Sequence, residues 1–124
     1  MPQVARADGW VRYTHHRQAA IAEWDAGLTL KRTAEPEEDS QYNPHLFGTD
    51  QAVMRIELLC VETGTQIRDS GNRETKYLRL PGVIVGVCSG EYTEYVFAEC
   101  TSGFYHGRPI SAAALRRLGV EVHD

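Results

Sequence analysis

Gly82-Val83-Ile84-Val85-Gly86-Val87-Cys88-Ser89-Gly90-Glu91-Tyr92-Thr93-Glu94-Tyr95-Val96-Phe97-Ala98-Glu99-Cys100 is the stretch whose reading decides the fold. Two runs rich in β-branched and aromatic residues flank the dipeptide Ser89-Gly90, a combination that predicts an antiparallel hairpin with a two-residue loop. Such a loop sets Val87 opposite Tyr92, Ile84 opposite Tyr95 and Val83 opposite Val96. It also separates two of the three cysteines. Cys88 falls at the hairpin tip and Cys100 about nine residues along its far arm, roughly 30 Å away at ~3.3 Å per residue. With no CxxC pair anywhere, Cys60, Cys88 and Cys100 read as buried thiols, and neither a metal site nor any other cofactor is expected.

The neighbouring segments extend this sheet. From Val53 the residues alternate: Met54, Ile56, Leu58 and Cys60 face one way, Arg55, Glu57, Leu59 and Val61 the other, as in a strand with one side on a core. Thr63-Gly64 then reads as a turn into a short strand over Thr65 to Arg68, and Asp69 to Arg73 as a loop before a strand over Thr75 to Leu80. Pro81-Gly82 marks a bend or edge, and a further strand covers Gly103 to His106. Short turns imply antiparallel neighbours, so the expected fold class is α+β, with an antiparallel sheet of five or six strands over about 53–106.

Helical signals bracket the sheet. Ser111 is placed to cap a helix over about 112–118, with Ile110 and Leu115 as a hydrophobic staple. Arg116 and Arg117 follow in its last turn, and Gly119 and Val120 form the ending. An N-terminal helix is expected over about 9–26, capped by Asp8 and closed by Gly27, with Trp10, Tyr13, Ala20, Ile21, Trp24 and Leu28 on one side. Arg17 points into that stripe and requires either a carboxylate partner or a snorkelling stem. Both helices are expected to pack on one sheet face. That would leave Tyr92, Tyr95 and Phe97 on the other, partly exposed. Between the N-terminal helix and the sheet, residues 34–51 read as an acidic connection, with Glu35, Glu37, Glu38 and Asp39 around Pro36.

Composition sets the class. The 124 residues are 42% hydrophobic and 24% charged, the mix of one globular domain spanning 1–124 that needs no disulfide staple. No apolar run approaches the ~18 residues of a membrane span, and the first residues lack a secretory h-region, so a soluble cytoplasmic protein is expected. Thirteen Lys and Arg against seventeen Asp and Glu leave a net charge of -4, without the positive stripe that nucleic-acid binding requires. Arginine outnumbers lysine eleven to two, a bias that serves anion recognition but also follows from GC-rich coding.

No segment carries a nucleophile elbow, a phosphate-binding glycine loop or an HExxH pair. His15 and His16 are adjacent and diverge on a helix. The leading expectation is therefore a non-enzymatic binding module of inhibitor or adaptor type, acting on a protein partner through Tyr92, Tyr95 and Phe97, with the acidic run Glu35, Glu37, Glu38 and Asp39 as a docking strip. The first alternative is a small enzyme or ligand-binding protein whose pocket gathers Arg17, Tyr105, His106 and Arg108, since an aromatic, a group titrating near neutrality and an anion-binding arginine suit a pocket lining. The second alternative is a nucleic-acid binder through arginines gathered by folding. Exposed edge strands leave homodimerisation open.

Overall fold

Residues 50–64 satisfy both an alternating and a helical pattern, and the chain there is a helix. The computed structural model describes residues 11–12, 18–33, 40–67, 74–101 and 104–122. Within them the elements are, in order, β1 (Val11–Arg12), α1 (Ile21–Asp25), α2 (Leu28–Arg32), β2 (Gln41–Tyr42), α3 (Asp50–Thr63), β3 (Thr65–Gln66), β4 (Glu74–Arg79), β5 (Gly86–Cys88), β6 (Glu91–Thr93), β7 (Tyr95–Thr101), β8 (Phe104–Ile110) and α4 (Ala112–Arg117). The class is α+β, as expected. The arrangement differs from the single antiparallel sheet with two helices on one face. A five-stranded sheet of order β1-β8-β7-β4-β3, antiparallel except for the two-residue parallel β1–β8 pairing, accompanies a three-stranded antiparallel sheet of order β2-β5-β6.

The strand expected from Val53 is α3, and caps explain why. Thr49 Oγ1 accepts from the Ala52 amide at 3.1 Å, Asp50 places negative charge in the first turn, and Gly64 closes the end. The buried positions Val53, Ile56, Glu57, Cys60 and Val61 recur at i, i+3, i+4, i+7 and i+8, the stripe of a helix lying on a sheet. None of α3's last-turn residues is basic. The sheet supplies the missing cation: Lys76, buried on β4, donates from Nζ to the Val61 carbonyl at 2.7 Å, satisfying one of the helix's four orphan C-terminal oxygens.

The N-terminal helix over 9–26 is also corrected. Val11–Arg12 pairs with β8, and the described helical residues of this region form two five-residue pieces, α1 and α2, divided at Gly27 with its left-handed φ of 78°. Residues 1–10 and 13–17, including Trp10, Tyr13 and Arg17, lie outside the described residues. The 34–51 connection is corrected at its end, where residues 41–42 form a strand and Asp50 opens α3. Residues 34–39 lie outside the described part.

The Ser89-Gly90 reversal forms as expected, with φ of 53° and 75° at its two central residues as a type I′ turn requires. Val87 pairs with Tyr92, but the ladder ends at Gly86–Thr93. At Glu94 the chain leaves the small sheet for the large one, so Tyr95 pairs with Arg79 and Ile110, and Val96 with Leu78 and Pro109, rather than with Ile84 and Val83. Thr93 stitches the switch: its Oγ1 accepts from the Tyr95 amide at 3.1 Å and donates to the Ile110 carbonyl at 2.6 Å.

Two cores follow from alternation along β4, β7 and β8. On one face Val96, Ala98, Cys100 and Tyr105 pack under α3 with Tyr42 and Val85 from the small sheet's side. On the other, Tyr95, Phe97 and Ile110 pack under α4 with Ile67, Ala114 and Leu115. Thus α3 and α4 sandwich the large sheet, and the two aromatics expected on an open face are core residues. The C-terminal helix is read correctly in detail. Ser111 Oγ accepts from the Ala114 amide at 3.1 Å, and the amides of Gly119 and Val120 donate to the carbonyls of Arg116 and Leu115, a Schellman ending with Gly119 at φ 91°.

Candidate functional site

Three groups of side chains remain after the cores are filled. The first lies on the α4 face of the large sheet, beyond the cover α4 gives. Register places Thr75, Glu99 and His106 in one row and Tyr77, Phe97 and Arg108 in the next. His106 Nε2 meets Glu99 Oε1 at 2.8 Å, and the Arg108 guanidinium stands over the Phe97 ring at 5.3 Å. A carboxylate hydrogen-bonded to an imidazole fixes the ring's orientation. Tyr105, one residue before His106, points through the sheet to the α3 core, so the sheet separates it from His106 and Arg108.

The second group is buried. Glu57, fully inaccessible in the middle of α3, accepts from Tyr42 Oη at 2.6 Å. Its methylene and carboxyl carbons lie over the backbone of Gly107, where a side chain would meet them: an added Cβ would stand 2.8 Å from Glu57 Cγ and 3.0 Å from Cδ. Beside it the Cys60 thiol contacts the Lys76 and Val96 carbonyls at 3.5 and 3.6 Å. Burial pushes this thiol up to about 12, opposed by the Lys76 ammonium and reinforced by Glu57 and Cys100. The Cys100 thiol is likewise raised, to about 11, by burial first and then by Glu74. Such thiols are inert as nucleophiles.

The third group lies at the surface and is exposed only in part. Trp24, on α1, stacks against Tyr92, on β6, with ring centroids 5.5 Å apart and planes tilted by 59°. Val87, directly opposite Tyr92 across the hairpin, is fully buried, whereas Tyr92 keeps 48% of its surface in water. Ile21, one turn before Trp24 on α1, is 54% exposed, and Leu28, four residues after it at the start of α2, 47%. Helix α1 buries none of its own residues. Its Asp25 carboxylate meets His45 Nε2 at 2.7 Å, tying the helix to the turn that the Asn43 side chain builds by accepting from the His45 amide.

Of the residues singled out from sequence, Tyr92 lies in the exposed group, and Tyr95 and Phe97 are buried under α4. His106 and Arg108 are half-buried neighbours on the α4 face, and Tyr105 is buried on the α3 face. Arg17, Glu35, Glu37, Glu38 and Asp39 lie outside the described residues. Trp24 joins Tyr92 although its helical spacing reads as core. Glu57 escapes notice because strand alternation sends it to solvent, whereas helical spacing from Val53 would have exposed a lone carboxylate inside an apolar stripe.

No group of three metal-ligating side chains occurs among the described residues, and none of their helices is long and apolar enough to cross a membrane. Comparison with known proteins brings no match: no family model fits the chain, and neither a curated protein nor a solved structure is similar to it.

Proposed function

We propose that this chain is a small non-enzymatic binding module that docks a protein partner, in the manner of an inhibitor or adaptor, through the surface centred on Trp24 and Tyr92. The observation that carries this reading is the tilted Trp24–Tyr92 pair, with Tyr92 exposed, on a helix that fully buries none of its own residues and that also exposes Ile21. Rigid aromatic side chains with one face free are the residues that dominate binding energy at protein interfaces, at ~2 kcal/mol or more each when truncated. The acidic run Glu35, Glu37, Glu38 and Asp39, which falls between α2 and β2 in the sequence, contributes attraction at longer range on this reading.

Affinity capture from the cell of origin tests the proposal. Wild type is expected to retain a specific protein that Trp24→Ala and Tyr92→Ala both lose and that His106→Ala keeps. The reverse pattern supports a second reading, a ligand-binding or catalytic site at His106, Glu99 and Arg108. That reading is favoured by the 2.8 Å His106–Glu99 contact beside an arginine over the Phe97 ring.

A further inference from the structure

We infer that Asp25 and His45 are positioning residues for the docking surface: their pair fixes the angle at which α1 rests, and so sets Trp24 against Tyr92. The inference rests on the docking role proposed above for its consequence in binding, whereas the positioning itself is a property of the chain alone. Three observations carry it. The first is how little holds α1 in place. Ala19 and Thr29 are buried, and the Ala19 amide donates to the Tyr42 carbonyl at 2.9 Å, so the chain is seated at both points. Between them none of residues 20–28 is buried. The stretch bends at either end of the helix: Ala20 is extended and offers no side-chain cap, and Gly27 takes its left-handed φ of 78° with open space where a Cβ would stand. A helix of five residues is far too short to persist on its own hydrogen bonds.

The second observation is that neighbouring side chains of α1 reach different elements. Trp24 stacks on Tyr92 of β6 with centroids 5.5 Å apart, and Asp25 Oδ1 meets His45 Nε2 at 2.7 Å in the turn that follows β2. Successive residues of a helix project about 100° apart. A ring contact on one side leaves the helix free to roll, and a second contact a quarter-turn away removes that freedom. The third observation is that the His45 end of the pair is anchored. Asn43, only 7% exposed, accepts from the His45 amide through Oδ1 at 2.9 Å and donates from Nδ2 to the Ile84 carbonyl at 2.9 Å. Its backbone amide donates to the Val85 carbonyl at 2.9 Å. The imidazole is therefore carried by a turn bound to the segment entering β5, the strand that pairs with β6. Both contacts refer α1 to the same small sheet.

The test follows the full chain by nuclear magnetic resonance. The amides of Trp24, Ala26 and Gly27 donate to the carbonyls of Ala20, Ala22 and Trp24, so their hydrogen exchange reports how often α1 opens. Nuclear Overhauser contacts between the Trp24 and Tyr92 rings report whether the aromatic pair is formed. His45→Ala and Asp25→Ala are each expected to speed exchange at the three amides by about two- to fivefold, the range an exposed ion pair supports, and to weaken the ring-to-ring contacts. The amides of Ala19, Thr33 and β7 keep their wild-type rates. His45→Gln, which retains a donor on a side chain of similar length, and the exchanged pair Asp25→His with His45→Asp should both return the α1 amides toward wild type. Unchanged exchange at α1 in the alanine variants overturns the inference, as does acceleration spread equally over β7 or failure of both rescue variants. Both readouts are taken without a partner, so capture of a protein that Trp24→Ala does not lose refutes the docking role and leaves the positioning standing.

Discussion

Substituting Gly107 by alanine tests whether α3 sits on the sheet as described. A Cβ at 107 would lie 2.6 Å from the Phe97 carbonyl oxygen, 2.8 Å from Glu57 Cγ and 3.0 Å from Cδ, all well inside ordinary carbon contact. The carbonyl belongs to the central strand and cannot retreat without loosening the β7–β8 ladder. Glu57 could retreat only by giving up the 2.6 Å hydrogen bond from Tyr42 inside a fully buried site. Overpacking of a tight core costs about 1–3 kcal/mol. Loss of one buried hydrogen bond adds about 1–2 kcal/mol. Removing a glycine's unfolded-state freedom returns about 0.4–1 kcal/mol. The balance is destabilisation of about 3 kcal/mol, which at ~3–4 °C per kcal/mol for a chain of this size lowers the melting midpoint by about 10 °C. Urea unfolding of wild type, Gly107→Ala, Glu57→Ala and the double variant measures it. Because part of the clash is with Glu57, the double variant should be more stable than the two single costs predict, by about 1 kcal/mol. A cost below about 0.5 kcal/mol for Gly107→Ala, or strict additivity, would refute the packing of Glu57 over Gly107.

Other consequences follow from the same geometry. Ser111→Ala removes the cap on Ala114 and should cost about 1 kcal/mol by urea midpoint, with Ser111→Asp restoring most of it. Lys76→Met keeps the stem but strips the Val61 carbonyl of its donor. It should destabilise by about 1–2 kcal/mol, a loss that a lysine merely resting in the core would not produce. The thiols set an alkaline limit. Cys60 and Cys100 hold their protons to about 12 and 11 in the native chain, whereas the unfolded chain releases them near 9. The native state therefore binds more protons above pH 9, and stability, fully present below that value, falls as pH rises toward 11–12 at up to about 1.4 kcal/mol per pH unit per thiol. Urea midpoints between pH 8 and 10.5 should decline, and should decline less steeply in Cys60→Ala.

The sequence is most legible where local chemistry has a single solution. Ser89-Gly90 turns with both residues at positive φ, and Ile110 to Val120 carries staple, cap and stop within eleven residues. It is ambiguous where two periods coincide. In Val53 to Val61 apolar residues satisfy alternation through Met54, Ile56, Leu58 and Cys60, and helical spacing through Val53, Ile56, Cys60 and Val61. What decides is the Thr49 cap, 14 residues without glycine or proline and a carboxylate whose partner, Tyr42, lies outside the helix. Tyr95 and Phe97 read as surface because the hairpin was extended past Glu94. The strand changes sheets there, pairing Tyr95 with Arg79 and Ile110, and Thr93 fixes the switch through its bond to the Ile110 carbonyl. The aromatic corner was half legible: Tyr92 stood out as an exposed ring, but Trp24 reads as core until Gly27 divides the helix and leaves α1 with no buried side chain.

The proposal that Trp24 and Tyr92 form the docking surface is tested most directly by hydrogen–deuterium exchange of the chain alone and in its captured complex. Slowed exchange confined to residues 21–32 and 91–93 is the predicted footprint. Slowing confined to β7 and β8 around Glu99, His106 and Arg108, with α1 unchanged, would contradict it.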